Sequence, residues 1–371
     1  MMFGSILTAI LVLSLLILIH ELGHFIAAKR SGVLVEEFGI GLPPRVFGKK
    51  IGETIYSVNA LPFGGFVKLH GENSEENIKH PKRSFLNKNK KTRIKIITAG
   101  VLMNFILGIV AFSITYSFSG IPKDTGNVKI VEIVQGSPSQ VAGILVGDIV
   151  KKVDEKTVSN ISEFTGLVNE KVDKKVLLEI ERTTGSDKEI KKIRLVPRAN
   201  PPENEGPLGV IITSTEIFYA PIWQRPFIGI YYGFKEAIFW GITIAQGLYT
   251  MIVGLFSGKV PQDVSGPVGV FAITSEAAKY GILSLINFIG IFSVNLAILN
   301  ILPFPALDGG RVLFIAIETI AGKKVLPKIE NMAHTIGMII LLILLIVLTI
   351  RDVQRLMAAG SISGFLNSVV K

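Results

Sequence analysis

The chain has 371 residues, 49% of them hydrophobic, with a mean hydropathy of +0.51. That is too apolar for an ordinary soluble protein and implies several membrane spans plus a soluble part. The net charge of +10 would suit nucleic acid in a soluble protein. Here Lys and Arg cluster beside apolar runs, so the positive-inside rule accounts for them and no nucleic-acid partner is expected. The absence of cysteine excludes disulfides and thiolate metal sites.

Residues 1–28 contain no Lys, Arg or Asp, and their only ionisable side chains are His20, Glu21 and His24. A helix of that length is about 40 Å long, enough to cross a ~30 Å hydrocarbon core. It lacks a basic leader, and its apolar run continues into the polar motif, so it does not read as a signal peptide. The motif is H-E-x-x-H. Histidines at i and i+4 leave one helix face and can share one Zn²⁺, and Glu21 is placed as general base for a metal-activated water. The competing reading is a chance match in a soluble helix. It would have to bury two His and a Glu in lipid without partners, where ionisable groups are costly and mark function.

Residues 29–95 form a basic segment with fourteen Lys and Arg, seven of them in residues 82–95, and are expected in the cytoplasm. Residues 38–44 read as a Gly/Pro-shaped loop. Residues 55–58 and 66–69 read as short strands of a hairpin around 61–65. Residues 96–118 are a second uncharged run that contains Asn104, either near the metal site or in an interhelical hydrogen bond.

Residues 120–200 have the composition of a soluble α+β domain. Strand-like segments at 128–133, 176–180 and 189–196 flank Gly136-Ser137-Pro138 and the run Ala142-Gly143…Gly147-Asp148, a pattern that resembles one PDZ domain of the permuted bacterial type. A PDZ domain takes extended peptide on a strand edge; a passive spacer is the alternative. Residues 201–280 hold a Pro/Glu-rich linker at 200–207, a strand-like return at 208–213 and an aromatic, partly polar stretch at 221–257. The last is expected as an interfacial amphipathic helix. Gly266-Pro267-Val268-Gly269 reads as a tight loop.

Residues 281–310 are expected as the third span, interrupted by Pro303 and Pro305, with Gly309-Gly310 permitting sharp turns. Non-helical backbone at membrane depth is tolerated where it lines a cavity. Asp308 there needs a counter-charge that a metal supplies, which makes it the best third ligand; His334 is the competitor. Residues 331–350 are the fourth span and residues 351–371 a weakly amphipathic tail.

The paired motifs, H-E-x-x-H at residues 20–24 and N-x-x-P-x-P-x-L-D-G at 300–309, make the chain resemble the site-2 proteases. These are intramembrane zinc metalloproteases, and the closest likeness is to the bacterial PDZ-containing branch of the regulator of sigma-E protease type. The resemblance runs nearly the whole chain, but Val101 stands where the family's G-P-x-x-N has Pro. It implies Zn²⁺ held by His20, His24 and Asp308, with Glu21 as base. It implies substrate contacts at Asn300, Gly64, Gly65, Phe66 and Asn104, with a membrane-associated β-hairpin near the active site holding substrate as an extended strand. It also implies single-pass transmembrane substrates already trimmed by an upstream site-1-type protease. Anti-sigma factors and remnant signal peptides are examples, in regulated intramembrane proteolysis at the bacterial cytoplasmic membrane. The rival readings are a zinc carrier and an inactive PDZ-bearing chaperone.

The expected architecture is an α-helical polytopic membrane protein with four transmembrane helices, a membrane-associated β-hairpin and one α+β PDZ domain. His20 and His24 lie near the C-terminal end of the first span and Asp308 just past the third, so these helices must run in the same direction. With the basic segment inside, the zinc site lies toward the cytoplasm and the PDZ domain outside. A single extra crossing at 221–257 would reverse the third span, so that stretch is expected not to span.

Overall fold

The structure, a computed structural model, describes residues 2–72, 79–185, 187–202, 205–257, 265–322, 325, 327–361 and 364–365. Its elements in chain order begin with α1 (Met2–Arg30), β1 (Val35–Ile51), β2 (Thr54–Leu69), α2 (Lys90–Ser119) and β3 (Ile121–Ile133). Next come α3 (Pro138–Val141), β4 (Ile149–Val153), β5 (Lys156–Thr157), α4 (Ile161–Asn169), β6 (Val176–Thr184), β7 (Asp187–Leu195) and β8 (Val210–Phe218). The chain ends with α5 (Arg225–Phe256), α6 (Pro267–Lys279), α7 (Ile282–Ile301), α8 (Asp308–Ala321) and α9 (Pro327–Ala359). Two compact units result, residues 1–119 with 221–371, and residues 120–220.

Among the described residues of the first unit, five helices are long and apolar enough to cross a membrane: Ile6–Arg30, Lys90–Ser119, Arg225–Gly254, Ile282–Ile301 and Lys328–Ala359. This is a multi-pass membrane protein with a β-rich part. α2 is the hub. His20 and His24 of α1 meet Asn104 and Ile96 of α2 in reverse order, so α1 and α2 are antiparallel. On α7, Gly290 packs on Phe112 and the Ser293 hydroxyl donates to the Asn104 carbonyl, so α7 is antiparallel to α2 as well. Hence α1 and α7 run in the same direction, as the metal motif requires.

α5 departs from the expectation of a helix lying across the interface. It runs lengthwise down α2: Gly229 packs against Ser117, Gly233 against Ser113 and Ile109, and Gly241 against Phe105. Tyr116 also donates to Glu236 at 2.8 Å. The reason is legible in the spacing. Gly229, Gly233, Ala237 and Gly241 recur every fourth residue, the small-residue stripe that lets two helices approach closely in a membrane. α5 is therefore parallel to α7. α6 lies in the chain between them.

Three further expectations are corrected. Residues 38–44 are not a loop but lie within β1, and Gly39 and Gly41 are needed because a Cβ would collide with the Phe66 ring and the Leu61 carbonyl. Gly266 to Gly269 are not a tight loop: Pro267 takes the first position of α6, where its missing N–H costs nothing. Asp352 of α9 accepts the Gly269 N–H at 2.8 Å. α9 continues past the expected end at 350, so the first part of the tail is helix; residues 366–371 lie outside the described residues.

The expected hairpin is wider than two short strands. Glu37, Phe38, Gly39 and Ile40 pair with Lys68, Val67, Phe66 and Gly65 on one side, and with Ile55, Tyr56, Ser57 and Val58 on the other. Phe47 to Ile51 then pair back along Val58 to Thr54. The two bent strands thus form a sheet four segments across. Residues 65–69 make one edge, and its outer side carries no strand among the described residues.

The second unit is an antiparallel sheet in the order β7-β6-β4-β3-β8, with β5 on β4. Its core is aliphatic: Val128, Ile130, Val150, Leu178 and Ile180 are at most 1% exposed, and Phe164 and Val168 of α4 cover them. Ser137 caps α3 by accepting the Gln140 N–H, and Asn160 caps α4 by accepting the Glu163 N–H. Gly143 and Gly147 adopt positive φ, and buried Asp148 accepts the Leu145 N–H and both arms of the Arg182 fork. That carboxylate holds the Arg182 guanidinium above its ordinary range. The unit closes with β8, beyond the boundary expected at 200, because the Pro/Glu-rich stretch is a connection inside it.

Candidate metal centre

Three elements deliver the three candidate ligands and their support. In α1, Gly23 separates the two histidines by one turn and has no side chain because α2 passes there: a Cβ would overlap the Ala99 carbonyl oxygen. Both imidazoles therefore turn onto α2. Gly100 of α2 faces the rings and leaves room for them. Asp308 arrives from the other end of the unit as the first residue of α8. The Pro303–Pro305 break stops α7 at Ile301, and Ala306 at φ 82° turns the chain. Gly309 and Gly310 then let the first turn of α8 lie on the carbonyls of Ile301, Leu302 and Phe304, where any Cβ would collide.

The donor atoms converge. His20 Nε2 and His24 Nε2 lie 3.1 Å apart, and Asp308 Oδ2 is 3.0 Å from the first and 3.2 Å from the second. A tetrahedral zinc with ligands at ~2.0–2.1 Å has ligand–ligand edges of about 3.3 Å, so this triangle matches one face of the polyhedron and leaves its fourth corner open. Among the described residues no hydrogen-bond donor is assigned to the buried Asp308 Oδ2, as expected of an oxygen kept for a cation. The residues present fit zinc.

The outer contacts set the tautomers that this requires. His24 Nδ1 donates to the Ile96 carbonyl at 2.9 Å, leaving Nε2 as a lone pair. His20 Nδ1 faces the side-chain amide of Asn104 at 3.4 Å. The structure turns the amide Nδ2 toward the ring; with Nε2 reserved for metal, Nδ1 carries the proton, and it is the flipped amide that offers its oxygen as acceptor. The opposite amide orientation leaves that oxygen, fully buried, without a partner. Asn104 thus sits behind a candidate ligand. His334, the rival ligand, is placed differently: its Nδ1 accepts the Ala306 N–H at 2.9 Å, and it does not join the ligand cluster.

A cavity of about 320 Å³ opens on this cluster. Glu21, both histidines and Asp308 line it, with Phe66, Val67 and Leu69 of the sheet edge on one side and Arg311 and His334 on another. Gly64 packs on Ile17, and a Cβ on Gly65 would stand 3.8 Å from Glu21 Cγ. Ser14 donates to the Pro62 carbonyl at 2.6 Å, which pins this strand to α1. Of the residues expected to touch substrate, Phe66 lines the cavity, Gly65 is next to Glu21, and Gly64 rests on α1 at Ile17. Asn300 is half-buried in the last turn of α7 and does not line the cavity. Sequence reasoning missed Glu72 and Arg311, an ion pair on the cavity wall, and Arg93, whose buried guanidinium meets Glu318 at 2.9 Å.

Comparison with known proteins shows the family. Residues 8–344 match the family described as peptidase family M50. The chain is 39% identical to a protein of Clostridium acetobutylicum provisionally named a zinc metalloprotease, over 95% of this chain and 98% of the relative. It is 28% identical to the zinc metalloprotease RasP of Oceanobacillus iheyensis, over 95% and 99%. It is 27% identical to the regulator of sigma-W protease RasP of Bacillus subtilis, over 96% and 100%. The chain belongs to peptidase family M50, the site-2 protease family, and is a zinc metalloendopeptidase.

Proposed function

We propose that this metalloendopeptidase cuts transmembrane segments of single-pass membrane proteins within the bilayer, as a step of regulated intramembrane proteolysis. The observation that carries the reading is the ligand triangle of His20, His24 and Asp308 beside an unpaired sheet edge, built on helices apolar enough to span. A substrate helix must unwind before its peptide bond is accessible. Residues 65–69 offer backbone N–H and C=O groups to an extended strand, which replace the hydrogen bonds that unwinding breaks. Phe66 and Val67 stand where substrate side chains would pass.

Zinc, when bound, supplies a Lewis acid and a water whose pKa falls toward ~7. His20, His24 and Asp308 hold it, and the Ile96 carbonyl and Asn104 hold the histidines. Glu21 accepts the proton as water attacks the peptide carbonyl, then delivers it to the departing amide nitrogen. Asn300, by its place in the motif, contacts the substrate backbone or the developing oxyanion. The alternatives of a zinc carrier and an inactive chaperone leave Glu21 and the sheet edge without a task.

The second unit reads as a PDZ domain, supported by its two short helices, its antiparallel sheet and the edge position of β8. Its role is to filter substrates by ectodomain size, so that those pre-trimmed by an upstream protease enter. The basic segment at residues 29–95 argues for a cytoplasmic metal site and an extracytoplasmic second unit. The name of the Bacillus subtilis relative makes membrane-anchored anti-sigma factors the first substrate class to try. Two forms of one such substrate test the reading, one with its ectodomain and one without. Detergent-purified protein should cut the trimmed form inside its span. Removing residues 126–198 should leave zinc binding intact and admit the untrimmed form. No cut within the span would contradict the endopeptidase reading, and unchanged selectivity would leave the second unit a spacer.

A further inference from the structure

We propose that Arg93 and Glu318 are positioning residues for the metal centre: the ion pair between α2 and α8 sets where Asp308 stands relative to the two histidines. The proposal rests on the ligand set given above. Arg93 Nη1 donates to Glu318 Oε2 at 2.9 Å, with both side chains 4% exposed, and Lys90 Nζ donates to the Glu318 carbonyl at 3.1 Å.

Arg93 belongs to a stripe. Arg93, Ile96, Gly100 and Asn104 follow at spacings of three, four and four residues, so they share one face of α2. Each has a task at the metal centre or on the path to it. Asn104 holds His20, Gly100 leaves space for both rings, and the Ile96 carbonyl holds His24. Two ligands are thus referenced to α2. The third comes from α8, and Arg93 is the fourth member of the same face, bonded to α8.

The lever is short. Asp308 and Glu318 are ten residues apart on one helix, about 15 Å. Near its start, α8 is tied by Arg311 to Glu72, which follows the sheet edge; near its end it is tied by Glu318 to Arg93. A rod fixed at both ends has little freedom to swing its first residue. Apolar contacts already hold α8 to its neighbours, with Ile315 fully buried against a cluster that includes Ile96 and Ile97. Such contacts are non-directional. A hydrogen-bonded charge pair specifies rotation and register, which a ligand atom confined to one position needs.

A buried ion pair exchanged for apolar groups of similar volume often leaves stability unchanged or raised, so that exchange separates positioning from folding. The test is Arg93→Met with Glu318→Met in the full-length, detergent-purified protein. Zinc affinity is read by chelator competition, and the Tm is measured without zinc. The expected result is a Tm at or above the parent's and a zinc affinity 10–100-fold weaker, the loss typical of removing groups that orient metal ligands. Parent-like affinity with an unchanged Tm overturns the proposal. If the double variant does not fold, Glu318→Gln decides: a tenfold or greater loss of affinity supports the proposal, and parent-like affinity overturns it. His24→Ala is the control for the ligand set, since zinc retained at parent affinity there would refute that reading separately.

Discussion

Gly100 of α2 lies directly against His24 of α1: a Cβ on it would stand 2.7 Å from His24 Cε1 and 2.8 Å from His20 Cε1. The glycine is therefore part of the metal centre by its lack of a side chain. Gly100→Ala should favour the helix itself by roughly 1 kcal/mol. It should nevertheless weaken zinc binding at least ~10-fold, because the rings must move off their outer-shell partners. Chelator competition beside a thermal melt distinguishes the two effects. Parent-like zinc affinity would show that the rings relax freely.

Asn104 gives a second handle on the same pair of helices. Asn104→Leu removes the acceptor for His20 Nδ1–H and should cost about 10–100-fold in zinc affinity. Asn104→Asp keeps an oxygen at that place and should lie nearer the parent. Equal affinity for Leu and Asn would assign Asn104 to helix packing alone.

The two histidines and Glu21 could be read from the sequence because a polar triplet in an apolar run stands out. Asp308 could be read because Pro and Gly mark a break that a membrane does not otherwise tolerate. The stripe on α2 could not. Arg93 reads as one more cation in a basic segment, and its partner is 225 residues away. The width of the sheet was also hidden, since Glu37 to Ile40 pair on both sides and no local pattern reports a second partner. The course of α5 was available in its four-residue repeat of Gly and Ala, but aromatic and polar content outweighed that signal. In the second unit, alternating aliphatics located the second half of β3, the first half of β6 and most of β7, and Val128, Ile130, Val176, Leu178 and Ile180 are buried in its core.

The proposed membrane sidedness combines the shared direction of α1 and α7 with a cytoplasmic basic segment. Both Ser214 in β8 and Lys279 at the end of α6 should face outward, while Lys88 should face inward. The chain has no native cysteine, so single cysteines at these positions report without background. In intact cells, an impermeant thiol reagent should label the first two and spare the third. Labelling at position 88, or protection at 214, would reverse or break the proposed orientation.

The central claim is that Glu21 acts on a zinc held by His20, His24 and Asp308 without being a ligand itself. Glu21→Gln tests it most directly, with zinc content and cleavage measured on the same purified sample. The expected result is about one zinc per chain, as in the parent, and cleavage of a membrane-span substrate reduced by ~10²–10⁴-fold or more. Asp308→Ala, measured alongside, should lose both zinc and cleavage. Substantial turnover in Glu21→Gln, or loss of its zinc, would contradict the account.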